Sequence, residues 1–125
     1  MLKDATPVAT IAVRDTAKAS EFYEGKVGLV RGPSPEKSIL MYTAGSTTLI
    51  VYPSQFAGTN QATSVTWPVD DVDGEVSALK EKGVTFEHYD MPNMKLEGDV
   101  HVGPTNRAAW FKDPDGNIHA IVNKR

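Results

Sequence analysis

Two stretches of this chain run in the same order, and that internal repeat limits the folds open to it more than any other feature. In the first, PVATIAVR (7–14) alternates like a β-strand, Asp15 stands in a helix N-cap position, and Ala19, Phe22, Tyr23 and Val27 recur at helical spacing up to Gly28. In the second, ATSVTWPV (62–69) is the strand, Asp71 the cap, Val72, Val76 and Leu79 the apolar stripe, and Gly83 the stop. Asp15 and Asp71 lie 56 positions apart, and Ile11, Val13 and Asp15 fall in the frame of Trp67, Val69 and Asp71. Further strands follow each helix: Lys37–Thr43 and Thr47–Pro53 around Gly45-Ser46 in the first half, and Val84–Tyr89 in the second, before a long irregular segment, Asp90–Pro104. The repeat is a βαβββ unit. One unit buries too little surface alone, so the two should pack side by side. The expected fold is α+β: two tandem modules, 1–55 and 61–125, within one domain spanning 1–125. Each is a curved mixed sheet with a helix on its outer face, and the opposite faces enclose a cavity.

The chain closes on WFKDPDGNIHAIV (110–122), which reads as a hairpin. Pro114 presets φ for the first turn position, and Gly116 supplies the positive φ of a type I turn with a bulge. Asp113 then pairs with Asn117, Phe111 faces His119, and Trp110 faces Ala120. Alternation places His119 opposite Ala120, toward the helix or a partner.

Composition excludes several classes of function. The net charge of −3 comes from interspersed signs, which argues against nucleic-acid or anionic-membrane binding. No apolar run is long enough to span a bilayer, and Met1-Leu2-Lys3-Asp4 lacks the core of a signal peptide, so a cytoplasmic location is expected. The chain contains no cysteine, which removes disulfides, thiol catalysis and thiolate metal sites.

VATIAVRD, EFYEGKVGL, VTWPVDDVDGEVSALKEKGV and AWFKDPDGNIHAI, in this order over nearly the whole chain, resemble the vicinal-oxygen-chelate superfamily of glyoxalase I, extradiol dioxygenases and bleomycin-resistance proteins. The chain is most similar to the small bacterial glyoxalase-like branch that carries a YDMP-type loop before the last hairpin. The metal enzymes of this superfamily hold one ligand on each of four strands. The matching positions here are Val8, Ile50, Ser64 and Ala120. Only Ser64 is polar, so the resemblance does not carry metal-dependent isomerase or dioxygenase chemistry to this chain, and neither metal nor other cofactor is expected. The resemblance further implies a homodimer whose paired modules complete the binding sites.

Tyr52 shares the face of Ile50, and Trp110 that of Ala120, so both should project into the cavity, whereas Trp67, aligned with Val65 and Val69, should pack in the core. Met91, Met94 and Leu96 sit beside Tyr89 in the long segment, a length that often forms a lid. A small, partly apolar organic molecule is therefore the expected ligand, lined by Val8, Ile50, Tyr52, Ser64, Thr66, Tyr89, Met94, His101, Trp110 and Ala120 and covered by 89–101. Two rival readings stand. One is a lyase or isomerase working through His101, with Glu97 and Asp99 nearby, or through a tyrosine. The other is a structural or regulatory module whose cavity its own side chains fill. His88 and His119 are expected to be structural or solvated, Asp15, Asp71, Asp113 and Asp115 to serve caps and turns, and Glu75, Lys80 and Lys82 to form a solvated helix face.

Overall fold

The computed structural model describes residues 1–124. In the first module, β1 (Ala9–Val13) leads into α1 (Thr16–Ser20), capped by Asp15, whose Oδ1 accepts from the N–H groups of Ala17 and Lys18. The helix widens over Glu21–Lys26 into π-type turns, where the N–H of Val27 donates to the carbonyl of Phe22. That change of phase lets the adjacent Phe22 and Tyr23 both bury. Then come β2 (Val30–Arg31), β3 (Leu40–Ala44) and β4 (Thr47–Pro53), giving a four-stranded sheet in the order β1-β4-β3-β2, with β1 and β4 parallel.

The second module repeats this plan with β5 (Thr63–Val69) and α2 (Val72–Glu81), whose Asp71 cap accepts from the N–H of Gly74. The expected strand 84–89 is shorter, β6 (Phe86–Glu87). The segment expected to be irregular between Asp90 and Pro104 instead holds a small hairpin, β7 (Lys95–Glu97) and β8 (Val100–Val102), turned at Gly98 and Asp99. Three-residue strands carry too little alternation to register as periodic. The sheet closes with β9 (Arg107–Lys112) and β10 (Ile118–Asn123), in the order β5-β10-β9-β8-β7, and β6 also pairs with β9. The hairpin register is the expected one: Phe111 pairs with His119, Trp110 with Ala120, and the N–H of Asp113 donates to the Asn117 carbonyl.

The helix-side faces of both sheets share one core. Ile11, Val13, Tyr42 and Val51 of the first module join Val76, Ala109, Phe111 and Ile121 of the second, and Phe22 packs on Phe111 across the junction. The DPDGN turn docks on the other module. Asn117 Nδ2 donates to the Ala12 carbonyl at 2.8 Å, and Asp115 Oδ1 accepts from the Arg14 N–H at 3.1 Å. Gly58 lets the chain pass this turn: a Cβ there would stand 2.1 Å from the Asp115 carbonyl oxygen, and its φ of +74° already excludes most side chains.

Below the turn runs a buried polar chain. The Trp67 indole N–H donates to His119 Nδ1 at 3.0 Å, which leaves the proton on Nε2 to donate to the Tyr23 hydroxyl at 2.9 Å. That hydroxyl donates to Asp113 Oδ2 at 2.7 Å. His119 thus faces the helices, as alternation predicts, and burial lowers its pKa to about 4, so it is neutral at pH 7. Burial, together with Asp113, raises the pKa of Tyr23. No helix among the described residues is long and apolar enough to cross a membrane.

Candidate functional site

The faces turned away from the helices carry the remaining chemistry. On the second sheet, Trp110 lies between Ala120 of β10 and Glu87 of β6, and Ala120 in turn lies beside Thr66 of β5. This row is continuous because cross-strand partners share a face. The Trp110 indole N–H donates to Thr63 Oγ1 at 3.3 Å. Tyr89 meets Trp110 edge-on at 5.4 Å between ring centroids, and His101 meets it edge-on at 4.8 Å. Gln61, Ala62, Thr63, Tyr89, Met91, Trp110 and Ile118 line a groove of about 260 Å³ along this wall.

His101 is 1% exposed, and backbone holds both of its ring nitrogens. The Tyr89 N–H donates to Nε2 at 3.0 Å, the Tyr89 carbonyl lies 3.1 Å from the same nitrogen, and Nδ1 faces the Ala108 carbonyl at 3.3 Å. The imidazole, carried on β8, therefore pins the segment that follows β6 to β8 and β9. It is not free to carry a proton to a substrate. Glu97 and Asp99 do not converge on it. Asp99 instead bonds His88 Nε2 at 2.7 Å and Lys80, and no group of three or more His, Asp or Glu side chains among the described residues is arranged to hold a metal ion.

The Tyr89 hydroxyl is buried and has no hydrogen-bond partner on this chain among the described residues. Burial, then the neighbouring Glu87, raises its pKa, so it remains a protonated donor. Glu87 pairs with Lys112 at 3.5 Å on the same side of the sheet. Neither this pair nor Gln61 is legible from local pattern, because their place beside Tyr89 depends on how the strands assemble around β9.

The other expected site residues are divided between the sheets. Ser64 and Thr66 are exposed on β5 near Ala120, which is buried. Ile50 and Tyr52 belong to the first sheet and Val8 immediately precedes its strand β1; Ile50 sits between Thr10 and Met41. Val8 is 42% and Tyr52 37% exposed, and none of the three lines the groove at Trp110. Met94 is half-buried, and it is Met91 that reaches the groove. The superfamily's metal does not fit this donor set: Val8, Ile50 and Ala120 have no side-chain donor, and Asn60 Nδ2 donates to the lone Ser64 hydroxyl at 3.3 Å.

No protein-family model matches the chain, and no curated protein matches it. Solved structures do. TnmS3, an antibiotic binding protein from Streptomyces sp. CB03234, is 26% identical, with a TM-score of 0.68 over 97% of this chain and 96% of its own. A glyoxalase/bleomycin resistance protein from the same organism is 27% identical, with a TM-score of 0.64 over 96% of this chain and 100% of its own. The chain is a vicinal-oxygen-chelate superfamily protein. A lactoylglutathione lyase from Agrobacterium tumefaciens, at 16% identity and a TM-score of 0.72 over 95% of this chain and 92% of its own, shares the superfamily fold. Within that fold, three of the four expected metal positions, Val8, Ile50 and Ala120, carry aliphatic side chains, and an aromatic wall stands beside Ala120.

Proposed function

We propose that this superfamily protein binds a small, partly apolar organic molecule against Trp110 without a metal, and that a homodimer completes the site. The observation that carries this reading is the Trp110–Tyr89–His101 wall, with a buried, unpartnered phenol donor, bordering a groove. A few fixed polar groups in an apolar groove are the usual makeup of a small-molecule site. The similarity to a protein described as antibiotic binding supports the same class of ligand. In this reading Thr66, Ser64, Ala120, Tyr89, Met94 and Trp110 form one wall, with His101 as the positioning group behind it. Val8, Ile50 and Tyr52, half-exposed or exposed on or next to the first sheet of a single chain, form the opposing wall from a second copy. The enzyme reading loses its histidine, since backbone holds both nitrogens of His101.

The test is tryptophan fluorescence against a panel of aromatic antibiotics and related small metabolites, with light scattering for mass. Saturable quenching that Trp110→Ala abolishes and Tyr89→Phe weakens is the expected result, from a particle of twice the chain mass. Quenching by no member of the panel, together with a Trp110→Ala variant that changes only stability, would favour the filled-cavity module instead.

A further inference from the structure

A second apolar cavity lies on the helix side, across the sheet from the Trp110 groove. It has a volume of about 200 Å³ and is lined by Val27, Leu29, Trp67, Val69, Glu75, Leu79, Phe111 and Ile121. Its walls come from both modules: Val27 and Leu29 follow the π-type turns, and the rest belong to β5, α2, β9 and β10. Trp67 is held in place by its bond to His119 and stacks on that ring, so this wall is preformed. Glu75, on the exposed side of α2, is the single charged lining residue and forms no ion pair among the described residues. An apolar cavity of about 150 Å³ suffices to hold a benzene molecule. This cavity therefore has room for one aromatic ring with a short tail.

We infer that the cavity between α2 and the Val27–Leu29 connection is a binding site for a small aryl-alkyl ammonium ion, its ring against Trp67 and Phe111 and its cationic group at the Glu75 carboxylate. Apolar lining selects the ring. A lone carboxylate at the mouth favours a cation and repels an anion, and an indole face adds to that preference. The site is separate from the proposed Trp110 groove because Trp67 and Thr66 project to opposite faces of β5.

The two tryptophan indole N–H resonances report the two sites independently, once assigned with Trp110→Phe. Phenethylamine should shift the Trp67 signal saturably, with a Kd on the order of 1 mM for so small a ligand, and leave Trp110 unmoved. Glu75→Gln should weaken this binding about threefold, the size of an exposed ion pair. Val27→Phe and Leu29→Phe each fill the space and should abolish the shift while the Trp110 signal stays native. The inference is overturned if Trp67 does not move, if only Trp110 moves, if the shift survives both filling variants, or if phenylpropionate binds as tightly as phenethylamine.

Discussion

The Tyr23 hydroxyl donates to Asp113 Oδ2 at 2.7 Å, joining residues 90 positions apart at the centre of the molecule. Tyr23 comes from the end of the first module's helix and Asp113 from the last turn of the second. Asp113 is 4% exposed, and its two oxygens also accept from the N–H groups of Asp115 and Asn117 and from Asn117 Nδ2. This contact ties the two βαβββ units together alongside the apolar packing of Phe22 on Phe111.

Removing that hydroxyl should therefore weaken the junction more than ordinary truncation of one atom. Tyr23→Phe leaves the Nε2–H of His119 without an acceptor and Asp113 without its inter-module donor. Unpaired buried groups of this kind cost about 1 to 3 kcal/mol. Urea unfolding of the variant should show that loss at unchanged slope. A midpoint equal to wild type would mean that water replaces the hydroxyl and that the bond contributes little.

Stability should fall in a defined pH window. Burial lowers the pKa of His119 from 6.5 to about 4, so between these values the unfolded chain binds a proton that the folded one refuses. Stability is then fully present above about pH 6.5 and falls as pH drops toward 4, by up to about 3 kcal/mol. Hydrogen bonds from Ser20 and Arg31 lower the pKa of Glu24 from 4.5, and those from Lys80 and His88 lower that of Asp99 from 3.8, so their losses develop mainly below pH 4.5. Denaturation midpoints measured from pH 7 to 4.5 should slope for the wild type and flatten for His119→Gln.

Two glycine substitutions should act in opposite directions. Gly58→Ala forces a Cβ against the Asp115 carbonyl at a φ of +74° and must lift the docked turn, costing about 1 to 3 kcal/mol or more. Gly25 has open space around its would-be Cβ and lies within the helical stretch, so Gly25→Ala should gain about 0.5 to 1 kcal/mol. Paired thermal melts check both, and a stabilised Gly58→Ala would contradict the described fit of the turn.

His101→Leu keeps most of the side-chain volume but leaves the half-buried Tyr89 N–H without its acceptor. The expected cost is again about 1 to 3 kcal/mol. Amide exchange in β7 and β8 should accelerate, while β1 and β4 stay protected. Uniform acceleration everywhere would show instead that the pin acts on the whole core.

Zinc, nickel, manganese, cobalt or ferrous iron added singly to chelator-treated protein should leave the melting midpoint in place. A metal at about 100 times its Kd would add roughly 2.7 kcal/mol and be plainly visible. A rise that disappears in His88→Ala or Asp99→Ala would place a metal at that surface pair and overturn the metal-free reading.

Local chemistry made much of this protein legible from its sequence. The two Asp caps, the period-2 strands and the register of the last hairpin depend on residues within a few positions of one another, and the structure holds them. The direction of His119 followed from alternation alone. The β7–β8 hairpin did not, because its three-residue strands are too short to show alternation and join the sheet through the pairing of β8 with β9. Nor did the fixed role of His101, whose partners Tyr89 and Ala108 come from the segment after β6 and from β9. The turn residues Asp113, Asp115 and Asn117 read as a turn and nothing more, yet their side chains also bond Tyr23, Arg14 and Ala12 in the other module. Composition and spacing decided which segments are strands and helices, and the resemblance to the superfamily implied that three of the four expected metal positions, Val8, Ile50 and Ala120, lack donors. Only the packing of one module on the other decided which buried polar groups meet, because a buried donor must find its acceptor wherever the fold brings one, at any distance along the chain.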